Sequence, residues 1–447
     1  MDAPQLLDGM LNVKKPKNTE APSMASMDDL QDDVLPIIVS FLPAHEAVRT
    51  CVLAKRWRHV WKSAPALHIT AVRGFGSADK FNHFVDRLLY LRRHAHPSLE
   101  SCEFDLDQTK FDFGWLVSAQ HVYRHSIQSS LDCNVKSLRC CFTPTQPTNF
   151  SRSLTEPAEP LHSPHIQRLE LHYTRATLDF SGCPALVDLK MKDCITLDDN
   201  MAAPSLERLS MTWCELPEEH RNSISLPSLV HLELIECFGR LPVLESLPSL
   251  ETGIVRLGEN SGDQCFRSVR GCYSYSPCQD CHFAIDFAIA RGRSYFFEGL
   301  SRATHLELSS PFEYALIFQR DLSWCPTFPM LKTLVLDDWC LDDDLSAVIL
   351  FIQQSPNLEK LTLELFEVFD SLMVREGSYY HPWKGTFASD HLKMVEIKCE
   401  EFDERVKKVL KILSTFGISL EKIHIRLTDT SSGSECFHFV CTGFSHN

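Results

Sequence analysis

The chain has no apolar run that approaches the roughly eighteen residues of a membrane-spanning helix. Its first 26 residues also lack the sustained apolar stretch of a secretory signal, so we expect an intracellular protein of the cytoplasm or the nucleus, with no membrane partner. The glycine-rich loops of nucleotide-binding enzymes and the motifs G-x-S-x-G and H-E-x-x-H are missing as well. Because 20 histidines and 59 carboxylates in no recognisable arrangement define no catalytic set, we expect neither an enzyme nor a cofactor.

An excess of positive charge is also absent. The net charge of the 447 residues is −15. Residues 1–26 contain three acidic and three basic side chains, and residues 27–65 contain five of each, so all the excess negative charge lies beyond residue 65. A protein that binds nucleic acid through its phosphates needs clustered lysine and arginine. We therefore expect no nucleic-acid partner.

Cysteine, in contrast, is abundant, with 18 residues. In a chain without a secretory signal these residues are expected to be reduced thiols rather than a disulfide framework. Several of them recur at the same place in a repeat described below, which accounts for much of their number without redox chemistry.

Residues 28–62 have the spacing of short amphipathic helices. Their apolar residues recur at intervals of three, four and seven: Leu30, Val34, Leu35, Ile38, Leu42, Val48, Val52, Leu53, Trp57 and Trp61. Pro43 interrupts the pattern because it cannot donate a hydrogen bond inside a helix, and a second break falls near Lys55. We predict three short helices, which together are too small to be stable unless they pack on the rest of the chain or on a partner.

This segment resembles the F-box, the three-helix module that binds the Skp adaptor of cullin-RING ubiquitin ligases. The resemblance rests on the DDVL sequence at 32–35, the run that ends in FLP at 41–43, and the block AVRTCVLAKRWRHVW at 47–61. It departs from the family at Gln31, where proline is usual, and at Pro36, which lies inside the first predicted helix. The resemblance implies an F-box at 27–65. The adaptor contacts that it implies are Leu30, Val34, Leu35, Ile38, Leu42, Val52 and Leu53. Trp57 and Trp61 are expected to anchor the third helix instead.

From residue 183 onward the chain repeats itself. Copies of a P-x-L-x-x-L-x-L pattern, with methionine in the last place of the first two, begin at Pro184, Pro204 and Pro227, and Pro248 continues the series of prolines; the four prolines are spaced by 20, 23 and 21 residues. Further copies begin at residues 165, 329, 356, 391 and 419. Periods in the twenties with this pattern are typical of leucine-rich repeats, in which each unit contributes one half-buried strand and must stack on its neighbours. The sequence thus predicts an α/β repeat fold, with a curved parallel sheet and outer helices or loops.

Cys194, Cys214 and Cys237 each follow the last inward strand residue by three positions. In cysteine-type leucine-rich repeats this position points into the turn, so we expect these thiols to be buried and structural. Between the two recognisable regions, helical spacing at 81–93 and strand alternation at 99–106 and 135–140 fit the first, atypical repeats.

The end of the chain again combines strand, helix and strand. Val406, Leu410 and Leu413 line one face of the predicted helix. This section resembles the FBD motif at the C-terminus of many plant F-box proteins, most clearly at 391–405 and 420–425. The predicted organisation is a disordered tail at 1–26, the F-box at 27–65, irregular leucine-rich repeats at 66–387 with a cysteine-rich insertion at about 253–300, and an FBD-like section at 388–447.

One group of side chains has metal-ligand spacing. Cys272, Cys278, Cys281 and His282 lie close together in the insertion, with Cys265 nearby. A C-x-x-C pair with two further ligands suits zinc, but the second paired motif of ordinary zinc sites is missing. A reduced loop without metal is the favoured interpretation.

Together these features predict the substrate-recognition subunit of a Skp-cullin-F-box (SCF) ubiquitin ligase. The F-box would bind the Skp adaptor and, through it, the cullin and RING subunits, and the repeats would bind an unidentified target protein. Two alternatives remain open. One is a repeat scaffold whose F-box no longer joins a ligase, and the other is an enzyme that uses the cysteine-rich insertion as a metal site.

Overall fold

Nineteen strands can be traced in the described residues of the computed structural model. These residues are 30–70, 75, 77–94, 99–107, 126–143, 160–176, 178–196, 200–217, 221–259, 294, 296–311, 315–341, 344–366, 391–428 and 437–440. In chain order the strands are β1 (Ala66–Thr70), β2 (Ser101–Asp107), β3 (Ser137–Thr143), β4 (Arg168–His172), β5 (Arg175–Ala176), β6 (Asp188–Lys192), β7 (Ile195–Thr196), β8 (Asn200–Met201), β9 (Arg208–Thr212), β10 (Ser223–Ser225), β11 (His231–Ile235), β12 (Val243–Ser246), β13 (Thr252–Arg256), β14 (His305–Ser309), β15 (Thr333–Asp337), β16 (Lys360–Leu365), β17 (Met394–Cys399), β18 (Ile423–Leu427) and β19 (Phe437–Val440).

Fourteen of these strands form one sheet in the order β1-β2-β3-β4-β6-β9-β11-β13-β14-β15-β16-β17-β18-β19. All its neighbours pair in parallel except β18 and β19, which are antiparallel. The remaining strands form two small sheets in the orders β12-β10-β8 and β5-β7. This long parallel sheet, built one strand per repeat, confirms the predicted α/β leucine-rich-repeat architecture.

The described helices precede the central repeats or follow β13. They are α1 (Val34–Ser40), α2 (Ala44–Arg49), α3 (Ala78–Arg93), α4 (Phe297–Leu300), α5 (Leu316–Asp321), α6 (Ser346–Gln354) and α7 (Glu404–Thr415). Residues 126–131 are helical as well. In the central repeats the segments that return between strands of the large sheet contain the short strands β8, β10 and β12 instead. No helix in the described part of the chain is long and apolar enough to cross a membrane.

The F-box region contains two α-helices followed by three 3-10 turns. After α2 the chain continues through Thr50–Val52, Lys55–Trp57 and Val60–Ser63, and the last two of these turns occupy the segment where the sequence predicted the third helix. Ala54 is extended, with φ −159° and ψ 164°, and this breaks the helical path at the expected place. Pro36 occupies the third position of α1, where its missing N–H would have had no partner within the helix.

The predicted dependence of the F-box on the rest of the chain is confirmed. Leu35, Val39, Trp57 and Trp61 are buried and belong to the same continuous core as the repeat strands. The turn between α1 and α2 also extends the sheet, because Pro43 forms a parallel bridge with His68 of β1. Residues 30–64 and the first repeats therefore share one interior.

Arg92 of α3 holds this junction together. Its side chain is only 1% exposed, and its guanidinium donates hydrogen bonds to the backbone carbonyls of Trp61, Lys62 and Ala64. These carbonyls lie at the end of the last 3-10 turn. That of Trp61 also accepts from the Ala64 N–H at 3.4 Å, whereas those of Lys62 and Ala64 lie where the turn supplies no further donor. Burial lowers the pKa of Arg92 to about 10, which leaves the group charged at neutral pH. A buried charge of this kind is stable only while its partners stay in place.

In-register stacking explains the leucine pattern of the repeats. The first inward position of each strand forms a column across the sheet. Its members are Leu67, Cys102, Leu138, Leu169, Leu189, Leu209, Leu232, Gly253, Leu306, Leu334, Leu361, Val395 and Ile423. The side chains in this column are 0–3% exposed.

At Gly253 the column lacks a side chain, and Leu300 of α4 takes its place. A Cβ atom at position 253 would lie 3.1 Å from Leu300 Cδ2 and 3.2 Å from Leu306 Cδ1. The strand β13 therefore continues the repeat within the segment that the sequence predicted as an irregular insertion. It was missed because the leucine that marks the other repeats is supplied here by a distant part of the chain.

Side chains on the approach to each strand connect one repeat to the next. Ser228 Oγ donates to the carbonyl of Pro204 at 3.0 Å, Ser249 Oγ to that of Pro227 at 2.8 Å, and Asn357 Nδ2 to that of Pro329 at 2.8 Å. At these three repeats the polar residue after the proline therefore bonds to the preceding repeat.

The turn cysteines are buried, as predicted. Cys194 Sγ lies 3.2 Å from the carbonyl oxygen of Leu171, and Cys214 and Cys237 lie 3.5 and 3.6 Å from those of Met191 and Met211. Each thiol thus reaches back one repeat, and burial raises the pKa of the Cys214 thiol well above its usual value. The twelve cysteines within the described residues are all free thiols.

We expect Arg92→Met to loosen the junction between the F-box and the repeats. The carbonyls of Lys62 and Ala64 would lose their donor, and that of Trp61 would keep only the Ala64 N–H, which should cost about 2 to 3 kcal/mol locally. Hydrogen exchange should therefore accelerate in residues 34–70 of the variant, while the central strands β9 to β16 keep their protection.

Arg93→Met is the matched control for this experiment. Arg93 is the neighbouring arginine, and its contact with Asp132 at 2.9 Å is an exposed ion pair of small energetic value. Equal exchange rates in the two variants would contradict the role given to Arg92.

Candidate partner-binding surfaces

The F-box exposes apolar side chains on the side of α1 opposite the core. Leu35 and Val39 face inward at 1% exposure each, whereas Ile37 is 50% exposed and Phe41 is 78% exposed. Positions 37 and 41 are four residues apart, so they share one side of the helix end. A helix that covers a core normally has polar residues on its outer side. Ile37 and Phe41 therefore indicate a second apolar contact.

Two further apolar residues are exposed just after α2. Val52 is 82% exposed and Leu53 is 66% exposed, although both belong to a compact 3-10 turn. We call Ile37, Phe41, Val52 and Leu53 the F-box surface. Exposed apolar residues in this concentration are typical of a surface that a partner covers.

The residues predicted to contact an adaptor are distributed over the core and this surface. Val52 and Leu53 are exposed, and Leu30, Val34, Ile38 and Leu42 are partly buried.

Leu35 requires a correction, because at 1% exposure its side chain belongs to the core and is unavailable to a partner. The sequence did not single out Ile37 and Phe41. Ile37 and Phe41 could have been identified from their positions, because they lie on the side of α1 opposite the buried Leu35 and Val39.

Arg56 fixes the start of the F-box. Its guanidinium donates to the carbonyl of Leu30 at 2.6 Å and to Asp32 Oδ1 at 2.7 Å. The chain before α1 is thereby held against the turn Lys55–Trp57. Gln31 also takes part, because its carbonyl accepts from the Val34 N–H at 3.1 Å. Glutamine in place of the usual proline therefore leaves this turn intact.

The outward face of the large sheet is the second candidate surface, and its first strands are covered by paired charges. Arg139 contacts both Glu103 and Glu170, and Glu170 also binds His172 Nε2 at 2.8 Å. Burial alone would raise the pKa of Glu170, but hydrogen bonds from Arg139 and His172 hold it below its ordinary value. These side chains satisfy one another across neighbouring strands.

The same pattern returns in the last strands. Lys360 Nζ lies 2.7 Å from Glu396, which also contacts Arg426 at 3.5 Å, and Lys398 pairs with Glu364 at 2.8 Å. Glu396 is only 7% exposed, so burial opposes its charge, but Lys360 and Arg426 keep its pKa low. Both ends of the face are therefore charge-balanced.

Between these ends, on β9 to β13, the outward face changes character. Thr212 pairs in register with Ile235, and Glu233 pairs with Ile254, so two isoleucines stand where charged residues occur elsewhere. Trp213 follows β9 directly and is 39% exposed. Val335 of β15 also faces outward, so apolar side chains reach the described face on β11, β13 and β15.

A buried carboxyl lies at the edge of the face on β15. Asp337 accepts from Ser309 Oγ at 2.5 Å and from the Ser310 N–H at 2.9 Å. Burial nevertheless raises its pKa to about 7, since these hydrogen bonds only partly compensate. The neighbouring Asp338 is 2% exposed and accepts from the Phe366 N–H at 2.7 Å. It also pairs with Arg405 in the first turn of α7, and this ion pair connects the C-terminal section to the end of β15.

Within the described residues no three histidine, cysteine or acidic side chains are placed to hold a metal ion. The zinc candidate Cys272, Cys278, Cys281 and His282 lies outside the described residues, as does Cys265.

Comparison with known proteins identifies the N-terminal module. A model of the F-box domain matches residues 27–68. A putative FBD-associated F-box protein of Arabidopsis thaliana is 28% identical over 243 residues, or 48% of this chain and 56% of the relative. The meiotic F-box protein MOF of Oryza sativa subsp. japonica is 24% identical over 362 residues, or 75% of this chain and 70% of the relative. A putative F-box/LRR-repeat protein of Arabidopsis is 23% identical over 392 residues, or 80% and 76%.

The chain thus contains an F-box domain followed by leucine-rich repeats. It is similar to plant proteins that are named as F-box/LRR-repeat and FBD-associated F-box proteins. The alignment with the first of these relatives covers little more than half of that protein's length.

The raised pKa of Asp337 predicts a pH dependence of stability. An acid whose pKa is higher in the folded protein than in the unfolded chain stabilises the folded protein only while it is protonated. Its full contribution to the free energy of unfolding is present below the unfolded pKa of about 4 and is lost as the pH rises through about 7. The Asp337→Asn variant, which stays neutral, should gain stability relative to the wild type between about pH 5 and pH 8, by about 1 kcal/mol or more. Urea unfolding of both proteins across this range measures the difference. A difference that does not change with pH would contradict the prediction.

Proposed function

We propose that this protein is the substrate-recognition subunit of an SCF-type ubiquitin ligase. The F-box surface would bind a Skp-family adaptor and, through it, the cullin and RING subunits. The observation that carries the proposal is the exposure of Ile37, Phe41, Val52 and Leu53 on a module whose inward side chains are already buried in the core it shares with the repeats. A cytoplasmic or nuclear location suits this role.

The proposed mechanism is geometric, and the chain itself carries out no bond-breaking step. Ubiquitin transfer would take place on other subunits, and the repeats would hold a target protein beside them. Raising the effective concentration of a target lysine near the conjugating enzyme is sufficient to accelerate transfer. This requires a fixed distance between the adaptor and the target, and the shared core together with Arg92 supports such rigidity.

Cofactors and metals have no part in this proposal. The contacts would be those of a protein–protein interface, with exposed apolar anchors on the F-box and a separate surface on the repeats.

Co-purification with a Skp-type adaptor tests the proposal. We expect the wild type to form a one-to-one complex, and Phe41→Asp and Val52→Asp each to weaken it by tenfold or more, since each places a charge in an apolar interface. Both side chains are exposed, so these variants should remain folded. Tyr90→Asp is the matched control, because Tyr90 is a 57% exposed aromatic outside the F-box.

Leu35→Asp should behave differently from these surface variants. Because Leu35 is buried, its replacement by a charged residue should unfold the F-box, and the loss of binding would be accompanied by lost thermal stability.

A well-folded wild type that forms no complex would contradict the ligase role and leave a repeat scaffold with a non-functional F-box. Undiminished binding by both Phe41→Asp and Val52→Asp would contradict the position of the interface.

A further inference from the structure

A thiol, an imidazole and a carboxylate lie in contact with one another on the outward face of two adjacent strands. Cys141 lies on β3, and Glu170 and His172 lie on β4, which pairs with β3 in parallel. His172 Nδ1 is 3.7 Å from Cys141 Sγ, and His172 Nε2 is 2.8 Å from Glu170 Oε1. We call these three residues the Cys141 triad. A nucleophile within hydrogen-bond reach of a base, which a third group orients, is the arrangement of an activated nucleophile.

Glu170 determines which ring nitrogen of His172 carries the proton. Burial would raise the pKa of Glu170, but hydrogen bonds from Arg139 and His172 keep it below its ordinary value, so the carboxylate is ionised at neutral pH and only accepts hydrogen bonds. Nε2 is therefore protonated, and in the neutral ring the lone pair of Nδ1 faces the Cys141 thiol. When the thiol proton moves to Nδ1, the carboxylate stabilises the resulting imidazolium.

The surroundings of Cys141 differ from those of the other cysteines. The preceding Cys140 is 0% exposed on the inward side, whereas Cys141 is partly exposed. Burial raises the pKa of the inward Cys102 thiol to about 12, which makes it unreactive. Among the partly exposed cysteines of the described residues, which are Cys51, Cys141 and Cys325, Cys141 is the one that contacts a histidine.

The charges that face the thiol oppose each other. Asp105 of β2 pairs in register with Cys141, and its carboxylate disfavours a neighbouring thiolate. Arg139, two residues earlier on the same side of β3, favours the thiolate, although it is also bonded to Glu103. The direct contact with the imidazole is therefore the interaction that decides whether the thiol ionises.

The charges that face the imidazole are balanced in the same way. Lys192 of β6 pairs in register with His172 and disfavours an imidazolium, whereas the nearby Asp193 favours it. Tyr173 contributes no charge, because burial and Asp193 raise its pKa further above the usual value of 10. Glu170, in direct contact with the ring, therefore favours the charged form without an equal opponent.

We propose that Cys141 is a redox-modification site, at which His172 accepts the thiol proton and a hydroperoxide oxidises the sulfur. The thiolate attacks one oxygen of the peroxide, the O–O bond breaks, and the leaving oxygen takes the proton of the imidazolium. With hydrogen peroxide the sulfur becomes a sulfenic acid and the peroxide is reduced to water. Condensation with a small thiol then releases a second water and forms a mixed disulfide on the outward face.

This assignment does not depend on the ligase role, because it concerns only the chemistry of the triad. A mixed disulfide on β3 would nevertheless cover the paired charges of β2 to β4, which belong to the second candidate surface. Oxidation would then change what this part of the face can bind.

The rate of Cys141 alkylation by iodoacetamide tests the role of His172. It is measured on the folded full-length protein by peptide mass spectrometry, with Cys51 as an internal reference thiol and the buried Cys140 as a reporter of unfolding. At pH 7 we expect His172→Gln to slow the reaction of Cys141 by about tenfold or more, because the thiol loses its base. At pH 9.5, where an ordinary thiol ionises without a base, the two proteins should react at similar rates.

Glu170→Gln removes the charge that stabilises the imidazolium. It should slow the reaction at pH 7 by a smaller factor than His172→Gln and should also have little effect at pH 9.5. His231→Gln is the matched control, because His231 Nε2 contacts Glu233 at 2.9 Å on the same face. It lies on β11, three strands or about 14 Å from β4, and its replacement should leave the reaction of Cys141 unchanged.

The oxidation step is tested on the same proteins with dilute hydrogen peroxide and dimedone, which traps sulfenic acids. We expect a dimedone adduct at Cys141 of the wild type, formed about tenfold more slowly or worse in His172→Gln, and no adduct at Cys140. Fast alkylation without a dimedone adduct at Cys141 would overturn the redox assignment.

Three results of the alkylation experiment would overturn the activation by His172. The first is an equal rate in the wild type and His172→Gln at pH 7. The second is equal slowing at both pH values, which would mean altered access to the thiol rather than a lost base. The third is slowing by His231→Gln as large as that by His172→Gln.

Discussion

The structure depends on stacking between strands that cannot bury their apolar side chains alone. A typical strand of five residues turns only two side chains inward, and those two are covered by the same positions of the strands before and after it. Leu209, for example, lies between Leu189 and Leu232. Every repeat is consequently stabilised by its neighbours, and the F-box enters the same arrangement through β1. Separation of any one unit would expose the interior of the next.

This arrangement makes the junction at Arg92 important for function as well as for stability. A leucine column tolerates small shifts because dispersion is not directional, whereas a guanidinium with three carbonyl partners fixes position and angle together. The apolar core therefore supplies most of the attraction, and Arg92 determines the orientation of the F-box on the first repeats. A subunit that holds two partners at a set distance requires both contributions.

The sequence predicted the repeat strands because alternation of leucine with polar residues directly reflects burial. It also predicted the turn thiols, since a cysteine at a constant distance from each strand has a constant environment. It did not predict β13, because Leu300 fills the space at Gly253 from 47 positions along the chain. The F-box surface was only partly foreseen: periodicity identifies the apolar residues of α1, but Leu35 and Ile37 differ only in the direction they face. That direction is decided by tertiary packing.

Four consecutive turns show how the array places particular side chains on its surface. Tyr173, Asp193, Trp213 and Glu236 all have φ values near 50°, a conformation that non-glycine residues adopt at a cost of about 1 kcal/mol. The N–H of each donates to the last strand residue of the next repeat, at 2.7 to 3.0 Å, which offsets that cost. Glycine would satisfy the same backbone without strain. Because the sheet holds the backbone in place, these four positions are free to carry a phenol, an indole and two carboxylates at the edge of the outward face, next to the isoleucines of β11 and β13.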